Sequence, residues 1–77
     1  MTLYTLVNDG YDVEVYRNRS RLARRLAEDG YAMEEGADKC ATYAQIMKAL
    51  AGNSILRFYE LDRADWSYRV EIHTGAQ

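Results

Sequence analysis

The chain has 77 residues, of which 48% are hydrophobic and 29% charged, so residues 1–77 are expected to form one small globular domain. Ten basic and twelve acidic residues give a net charge of −2, which argues against a general nucleic-acid binder of high isoelectric point. Cys40 is the only cysteine and His73 the only histidine. An intrachain disulfide is therefore excluded, and we expect no metal and no other cofactor.

The sequence contains no segment typical of membrane insertion or secretion. The first seven residues include no basic group, and no apolar stretch reaches the roughly 18 residues that a membrane span needs. We therefore expect a cytoplasmic protein without a membrane partner, and the free thiol of Cys40 fits a reducing compartment.

A β-hairpin is predicted at the start of the chain. Residues 2–7 are rich in β-formers, Asn8-Asp9-Gly10 is typical of a turn, and residues 11–16 alternate in polarity. The alternation divides the second strand into two faces, with Tyr11, Val13 and Val15 on one and Asp12, Glu14 and Tyr16 on the other.

A first helix of about ten residues is predicted next. Either Asn18 or Ser20 can cap its N-terminus, and Gly30 suits the position just beyond its C-terminus. Its apolar stripe consists of Leu22, Ala23, Leu26 and Ala27. Residues 31–40 stay unassigned, because Tyr31-Ala32-Met33 fits either a short strand or a contact beyond the helix end.

A second short helix is predicted from Thr42 onwards. Thr42 and Gln45 have the spacing of a capping box, in which each side chain bonds the backbone N–H of the other residue. The apolar stripe consists of Ile46, Met47 and Leu50, and Gly52-Asn53 ends the helix.

Two further strands are predicted at residues 54–61 and 66–73, joined by a four-residue loop. In the last strand the alternation assigns Trp66, Tyr68, Val70 and Ile72 to one face, and Ser67, Arg69, Glu71 and His73 to the other. The order β-β-α-α-β-β predicts an α+β two-layer sandwich, in which two short helices cover a mainly antiparallel sheet. One sequence does not define the order of the strands.

The most unusual segment is the arginine cluster, which consists of Arg17, Arg19, Arg21, Arg24 and Arg25. Several of these residues open the first helix, where the helix dipole disfavours cations by roughly 0.3 to 1 kcal/mol each. One interpretation is a partner-binding patch that pairs with phosphates or carboxylates. The other is a solvated helix face, in which Arg24 pairs with Glu28 and Arg25 pairs with Asp29.

Nine aromatic residues are concentrated on the predicted strands. We interpret Tyr16, Tyr59 and Tyr68 as apolar anchors of a partner-binding surface, because tyrosine buries a large area with few rotatable bonds. Next to arginines, the same rings are compatible with base stacking. The arginine cluster is followed by an acidic segment that contains Glu28, Asp29, Glu34, Glu35 and Asp38. This segment is either a polar loop or a source of negative potential that orients a partner or a second copy of the chain.

Nothing in the sequence is typical of catalysis. His73 and Cys40 have no neighbouring residues arranged as in a nucleophilic site, and the glycines form no phosphate-binding loop. We therefore expect no enzyme activity and no catalytic residues.

The segment 42–71 combines a short helix, a glycine, Ser54-Ile55-Leu56-Arg57 with Glu60, and a tight hairpin into Trp66-Ser67-Tyr68-Arg69. In pattern and size it resembles small phage-encoded anti-CRISPR proteins. This resemblance implies a compact, non-enzymatic protein that binds a protein or ribonucleoprotein complex, in the host cell cytoplasm.

We therefore expect an interaction module, an inhibitor or adaptor that docks a protein or ribonucleoprotein complex. The expected contacts come from the arginine cluster together with Tyr16, Tyr59 and Tyr68. Two alternatives stay open: a direct nucleic-acid binder that uses the same arginines, and a homodimeric structural subunit whose sheet edge pairs with itself.

Overall fold

The computed structural model describes residues 1–8 and 12–75. The predicted element order is confirmed as β1 (Leu3–Asn8), β2 (Asp12–Tyr16), α1 (Arg19–Glu28), α2 (Tyr43–Gly52), β3 (Ile55–Tyr59) and β4 (Trp66–His73). The α+β two-layer class is confirmed with it. The predicted turn at Asn8-Asp9-Gly10 and the face assigned to Tyr11 fall wholly or partly outside the described residues.

The four strands form one antiparallel sheet in the order β2-β1-β4-β3. The two hairpins therefore meet through β1 and β4, and Thr5 lies opposite both Val15 and Glu71. At the β3 edge Ala32 forms an isolated bridge with Tyr59. The unassigned segment after α1 thus contributes a single sheet contact rather than a strand.

The hydrophobic core lies between the helices and one face of the sheet. Both predicted helical stripes supply it, and burying a side chain of this size stabilises the fold by about 1.5 to 3 kcal/mol. The largest fully buried side chains are Leu6, Leu22, Leu26, Ile46, Leu50, Phe58 and Val70.

The helix ends follow from local hydrogen bonds. Asn18, rather than Ser20, caps α1, because its Oδ1 accepts from the backbone N–H of Arg21 at 3.1 Å while the Ser20 hydroxyl also donates to it. The capping box of α2 is complete: Thr42 Oγ1 accepts from the Gln45 N–H at 3.1 Å, and Gln45 Oε1 accepts from the Thr42 N–H at 2.9 Å.

The second face of the sheet is not covered by any described element. Residues directly opposite one another on neighbouring strands share a face, and the outer face carries Val13 and Val15, which are 62% and 60% exposed. Ile55, on the same outer face but on the edge strand at the opposite edge of the sheet, is 51% exposed. The polar side of β2 therefore faces the helices and its apolar side faces solvent.

A β-bulge changes the predicted faces of β4. Phe58 lies opposite Tyr68, but Tyr59 lies opposite Trp66, so Ser67 is an extra residue on β4. One extra residue inverts the alternation beyond it. The prediction that Trp66 shares the face of Tyr68 is wrong: the Arg69 guanidinium carbon lies 5.5 Å from the centre of the Trp66 ring.

The capping box predicts a measurable loss when it is removed. Thr42→Ala deletes the hydroxyl that accepts the Gln45 N–H, and we expect the free energy of unfolding to fall by about 1 kcal/mol. Chemical denaturation followed by circular dichroism measures this change. Thr74→Ala, at an exposed turn, is the matched control, and an equal loss in both variants would contradict the role of the cap.

Candidate partner-binding site

One member of the arginine cluster is bound within the chain. Arg25 Nη1 lies 2.7 Å from both carboxylate oxygens of Glu14 and donates to the Tyr16 hydroxyl at 2.6 Å. Its guanidinium carbon lies 5.9 Å from the centre of the Tyr16 ring and 5.8 Å from that of Tyr68. Cation–π attraction adds to the ion pair at this position. Arg25 therefore fixes α1 to the helix-facing side of β2.

The electrostatics of this contact agree with its geometry. The hydrogen bond from Arg25 lowers the pKa of the Glu14 carboxyl below its ordinary value. The same bond raises the pKa of Arg25, whose Nε also lies 3.8 Å from Asp29. The predicted Arg25–Asp29 pair is therefore present, but Glu14 is the closer partner.

The remaining four arginines of the cluster have no carboxylate partner among the described residues. They will be called the free arginines: Arg17, Arg19, Arg21 and Arg24. The expected Arg24–Glu28 pair is not among the ion pairs of the described chain, and α1 has no acidic residue in its first turn. Arg17, Arg19 and Arg21, at or just before the first turn of α1, are thus left without a local counter-charge, against the preference of the helix dipole, and Arg24 is left without one further along the helix.

A depression of about 600 Å³ lies next to two of the free arginines. Its lining comes from β2, from the connection to α1 and from the first half of α1: Glu14, Val15, Tyr16, Arg17, Asn18, Arg21 and Arg25. Its lining includes residues of both faces of β2, Glu14 and Val15, and none of β1, so it lies at the edge of β2 away from β1. We call it the β2 groove. Arg24 instead lines a separate depression with Tyr43 of α2.

The structure separates the three predicted tyrosine anchors. Tyr16 lies in the β2 groove beside the arginines. Tyr68 is linked to the same group through Arg25, and its ring packs edge-on against Tyr31 at 5.1 Å. Burial raises the pKa of Tyr31 to about 12. Tyr59 lies on β3, at the opposite edge of the sheet, and is bridged by Ala32, so it does not belong to this site.

The acidic residues gather at the other end of the molecule. β2 ends at Tyr16, which lies in line with Tyr4 of β1 and Ile72 near the end of β4. The β3–β4 loop precedes Trp66, at the start of β4, and therefore lies at the opposite end of the sheet. That loop packs on the segment 31–40, since Gly36 N–H donates to the Arg63 carbonyl at 2.8 Å and Asp62 N–H donates to the Ala37 carbonyl at 2.9 Å. The acids of the two loops therefore share one end: Glu34, Glu35, Asp38, Glu60, Asp62 and Asp65.

The sequence analysis did not identify the role of Glu14. Eleven residues separate it from Arg25, so helical spacing gives no indication of the pair. The sequence does contain one indication: Glu14 and Tyr16 share a face of β2, and only two residues connect β2 to α1. A short connection folds α1 back over its own strand, which places these polar side chains beneath the helix.

No protein-family model matches the chain, and neither a curated protein nor a solved structure matches it. No helix within residues 1–8 and 12–75 is long and apolar enough to cross a membrane. The same described residues contain no group of three His, Cys, Asp or Glu side chains placed to hold a metal ion. The geometry of the arginines is therefore the main basis for a functional inference.

Substitutions of two neighbouring arginines on α1 are expected to change stability by different amounts. Arg25→Gln removes the ion pair with Glu14 and the contacts with two tyrosine rings, so we expect the free energy of unfolding to fall by roughly 1 kcal/mol. Arg24→Gln removes an exposed side chain without a carboxylate partner and should change it by less than about 0.5 kcal/mol. Urea unfolding of both variants measures the difference, and equal losses would contradict the assignment.

The lowered pKa of Glu14 predicts a dependence of stability on pH. A carboxyl whose pKa is lower in the folded state stabilises the protein above the ordinary glutamate pKa of about 4.3, and this contribution is lost as the pH falls through the lowered value. Glu14→Gln should therefore be less stable than wild type at neutral pH and approach it in acid. Thermal melts over a pH series test this, with Glu34→Gln as the exposed control. A constant difference between Glu14→Gln and wild type at all pH values would rule out the linkage.

Proposed function

We propose that this protein is a non-enzymatic interaction module that docks a protein or ribonucleoprotein complex through its free arginines. The observation that carries the proposal is the lack of a carboxylate partner, among the described residues, for four guanidinium groups on α1 and the two residues before it. Carboxylates or phosphates of a partner would supply the missing counter-charges, with the paired donors of arginine giving directional hydrogen bonds. A role as inhibitor or adaptor fits a small domain that covers part of a larger complex.

The distribution of charge favours a local acidic surface of a protein as the target. The net charge is −2, and the acidic loops lie at the end of the sheet away from the free arginines. A long polyanion that approaches the molecule meets both the free arginines, which attract it, and the acidic loops, which repel it. A compact acidic patch needs to contact only the arginines. The two fields also favour one orientation of the docked partner.

A second candidate function, direct binding of single-stranded nucleic acid, is supported by the outer face of the sheet. Arg57 lies directly opposite Arg69, whose Nη2 is paired with the Glu71 carboxylate at 2.9 Å, so Arg57 is the cation of the two without a carboxylate partner among the described residues. Arg69 also stacks on Trp66, and its buried Nε has no hydrogen-bond partner. Aromatic rings with interleaved cations are typical of surfaces on which bases stack.

The proposal predicts that reversing two free arginines abolishes docking without unfolding the protein. Arg21→Glu combined with Arg24→Glu should reduce capture of the partner from a lysate of the native host by at least about tenfold. Quantitative mass spectrometry of affinity-purified material measures the capture. The melting temperature should be nearly unchanged, because both side chains are exposed.

Lys39→Glu combined with Lys48→Glu is the matched control, because it changes the net charge equally at two other exposed positions. This control should capture the partner as wild type does. Equal capture by the arginine variant and the control would contradict the proposal. Binding of the purified protein to single-stranded RNA or DNA, with an affinity that falls steeply as salt rises, would favour the second candidate.

A further inference from the structure

The two edges of the sheet differ in their protection. At the β3 edge, Ala32 and Tyr59 exchange two backbone hydrogen bonds of 2.8 Å, and the exposed Arg57 adds a charge. At the β2 edge, no described segment pairs with the side of the strand that faces away from β1. An unprotected edge presents backbone N–H and C=O groups on which another strand can pair.

Two devices that prevent such pairing, proline and charged side chains on the outer face, are missing from β2. The chain contains no proline, and the side chains of β2 on the outer face are the exposed valines Val13 and Val15. The one glutamate at the centre of the strand, Glu14, points to the helix side and is bound by Arg25. The β2 groove leaves about 600 Å³ of open space along this edge.

The chemistry of the β2 groove defines what can fill it. On the helix side a new strand would meet the free arginines Arg17 and Arg21, so its side chains there should be acidic. On the outer face it would lie beside two exposed valines, so its side chains there should be apolar. The required pattern alternates acidic and apolar residues, and the chain itself contains it as Asp12-Val13-Glu14-Val15, in which Arg25 already binds Glu14 and Asp12 is the acid without an ion-pair partner among the described residues.

We propose that two copies of this chain pair through their β2 strands, antiparallel, to form one continuous eight-stranded sheet. β2 begins with an acid, Asp12, and is followed at its end by Arg17. Antiparallel pairing therefore brings the acidic start of each strand to the basic end of the other. Such an interface is isologous and closed by two-fold symmetry. The proposal does not depend on the proposed docking function.

The register of the pairing follows from charge. Pairs of residues that share a face allow either Glu14 opposite an acid of the other copy (Glu14 or Asp12), which sets like charges against each other, or Val15 opposite Val15, which sets Glu14 opposite Tyr16. The second register avoids the repulsion and places Val15 of each copy on the two-fold axis. Opposed residues of an antiparallel pair have Cα atoms about 4.5 to 5.5 Å apart, within the range for a disulfide.

A cysteine experiment tests both the pairing and its register. In a Cys40→Ser background, Val15→Cys should form a covalent dimer when oxidised glutathione is added. Val13→Cys should not, because this register separates the two copies of residue 13 by four positions. Ile55→Cys, also an exposed β-branched position of an edge strand, is the matched control and should stay monomeric.

Sedimentation of the wild-type protein completes the test. We expect a monomer–dimer equilibrium, and Arg17→Gln should weaken the dimer about tenfold by removing a cation that lies one residue from the position opposite Asp12 of the other copy. A strict monomer at high protein concentration would overturn the proposal, as would equal crosslinking of the Val15 and Ile55 variants. A disulfide that forms only when the Val13 and Val15 variants are mixed would overturn the register. None of these outcomes depends on capture of the partner from a lysate.

Discussion

The contact between Arg25 and Glu14 determines how the rest of the surface is arranged. It joins the first helix to the first hairpin, with the centres of two tyrosine rings 5.9 and 5.8 Å from the guanidinium carbon. Because Arg25 binds Glu14, the carboxylate at the centre of β2 is not available to the arginines nearby. A structural role for one arginine and the absence of partners for four others are thus two results of the same contact.

Neighbouring arginines of one cluster can therefore have different roles. Arg24 and Arg25 are consecutive in the sequence, yet only Arg25 faces the strand beneath α1. A residue one position further along a helix turns away by about 100°, which is sufficient to exchange a carboxylate for solvent. The separation of the free arginines from the acidic loops then gives the molecule a positive and a negative end, which is useful for orienting a partner.

Local patterns were sufficient to predict the elements, because their determinants lie within a few residues. The capping box at Thr42 and the apolar stripe of α1 are examples, and both are confirmed. The strand order, the bulge at Ser67 and the Arg25–Glu14 pair depend on contacts between distant segments. The sequence predicted a site around Tyr16 and the arginines but could not exclude Tyr59, because its location depends on the strand order.

Contacts between distant segments also explain why the sequence alone does not show that the apolar side of β2 faces solvent. Alternation separates Val13 and Val15 from Glu14 and Tyr16, and an apolar side normally faces the core. Here α1 lies on the polar side, where Arg25 neutralises the glutamate, so the valines face solvent. An exposed apolar face next to an open edge is consistent with a strand that has a further partner.

The central claim is that Arg25 is bound in the free protein while Arg17 and Arg21 are not. Hydrogen exchange of the arginine Nη–H groups, through which Arg25 binds Glu14, measures this for each side chain separately when it is followed by NMR of the purified protein. The account predicts slow exchange for Arg25 and fast exchange, close to that of free arginine, for Arg17 and Arg21. Protection of Arg17 or Arg21 equal to that of Arg25 in the monomer would contradict it.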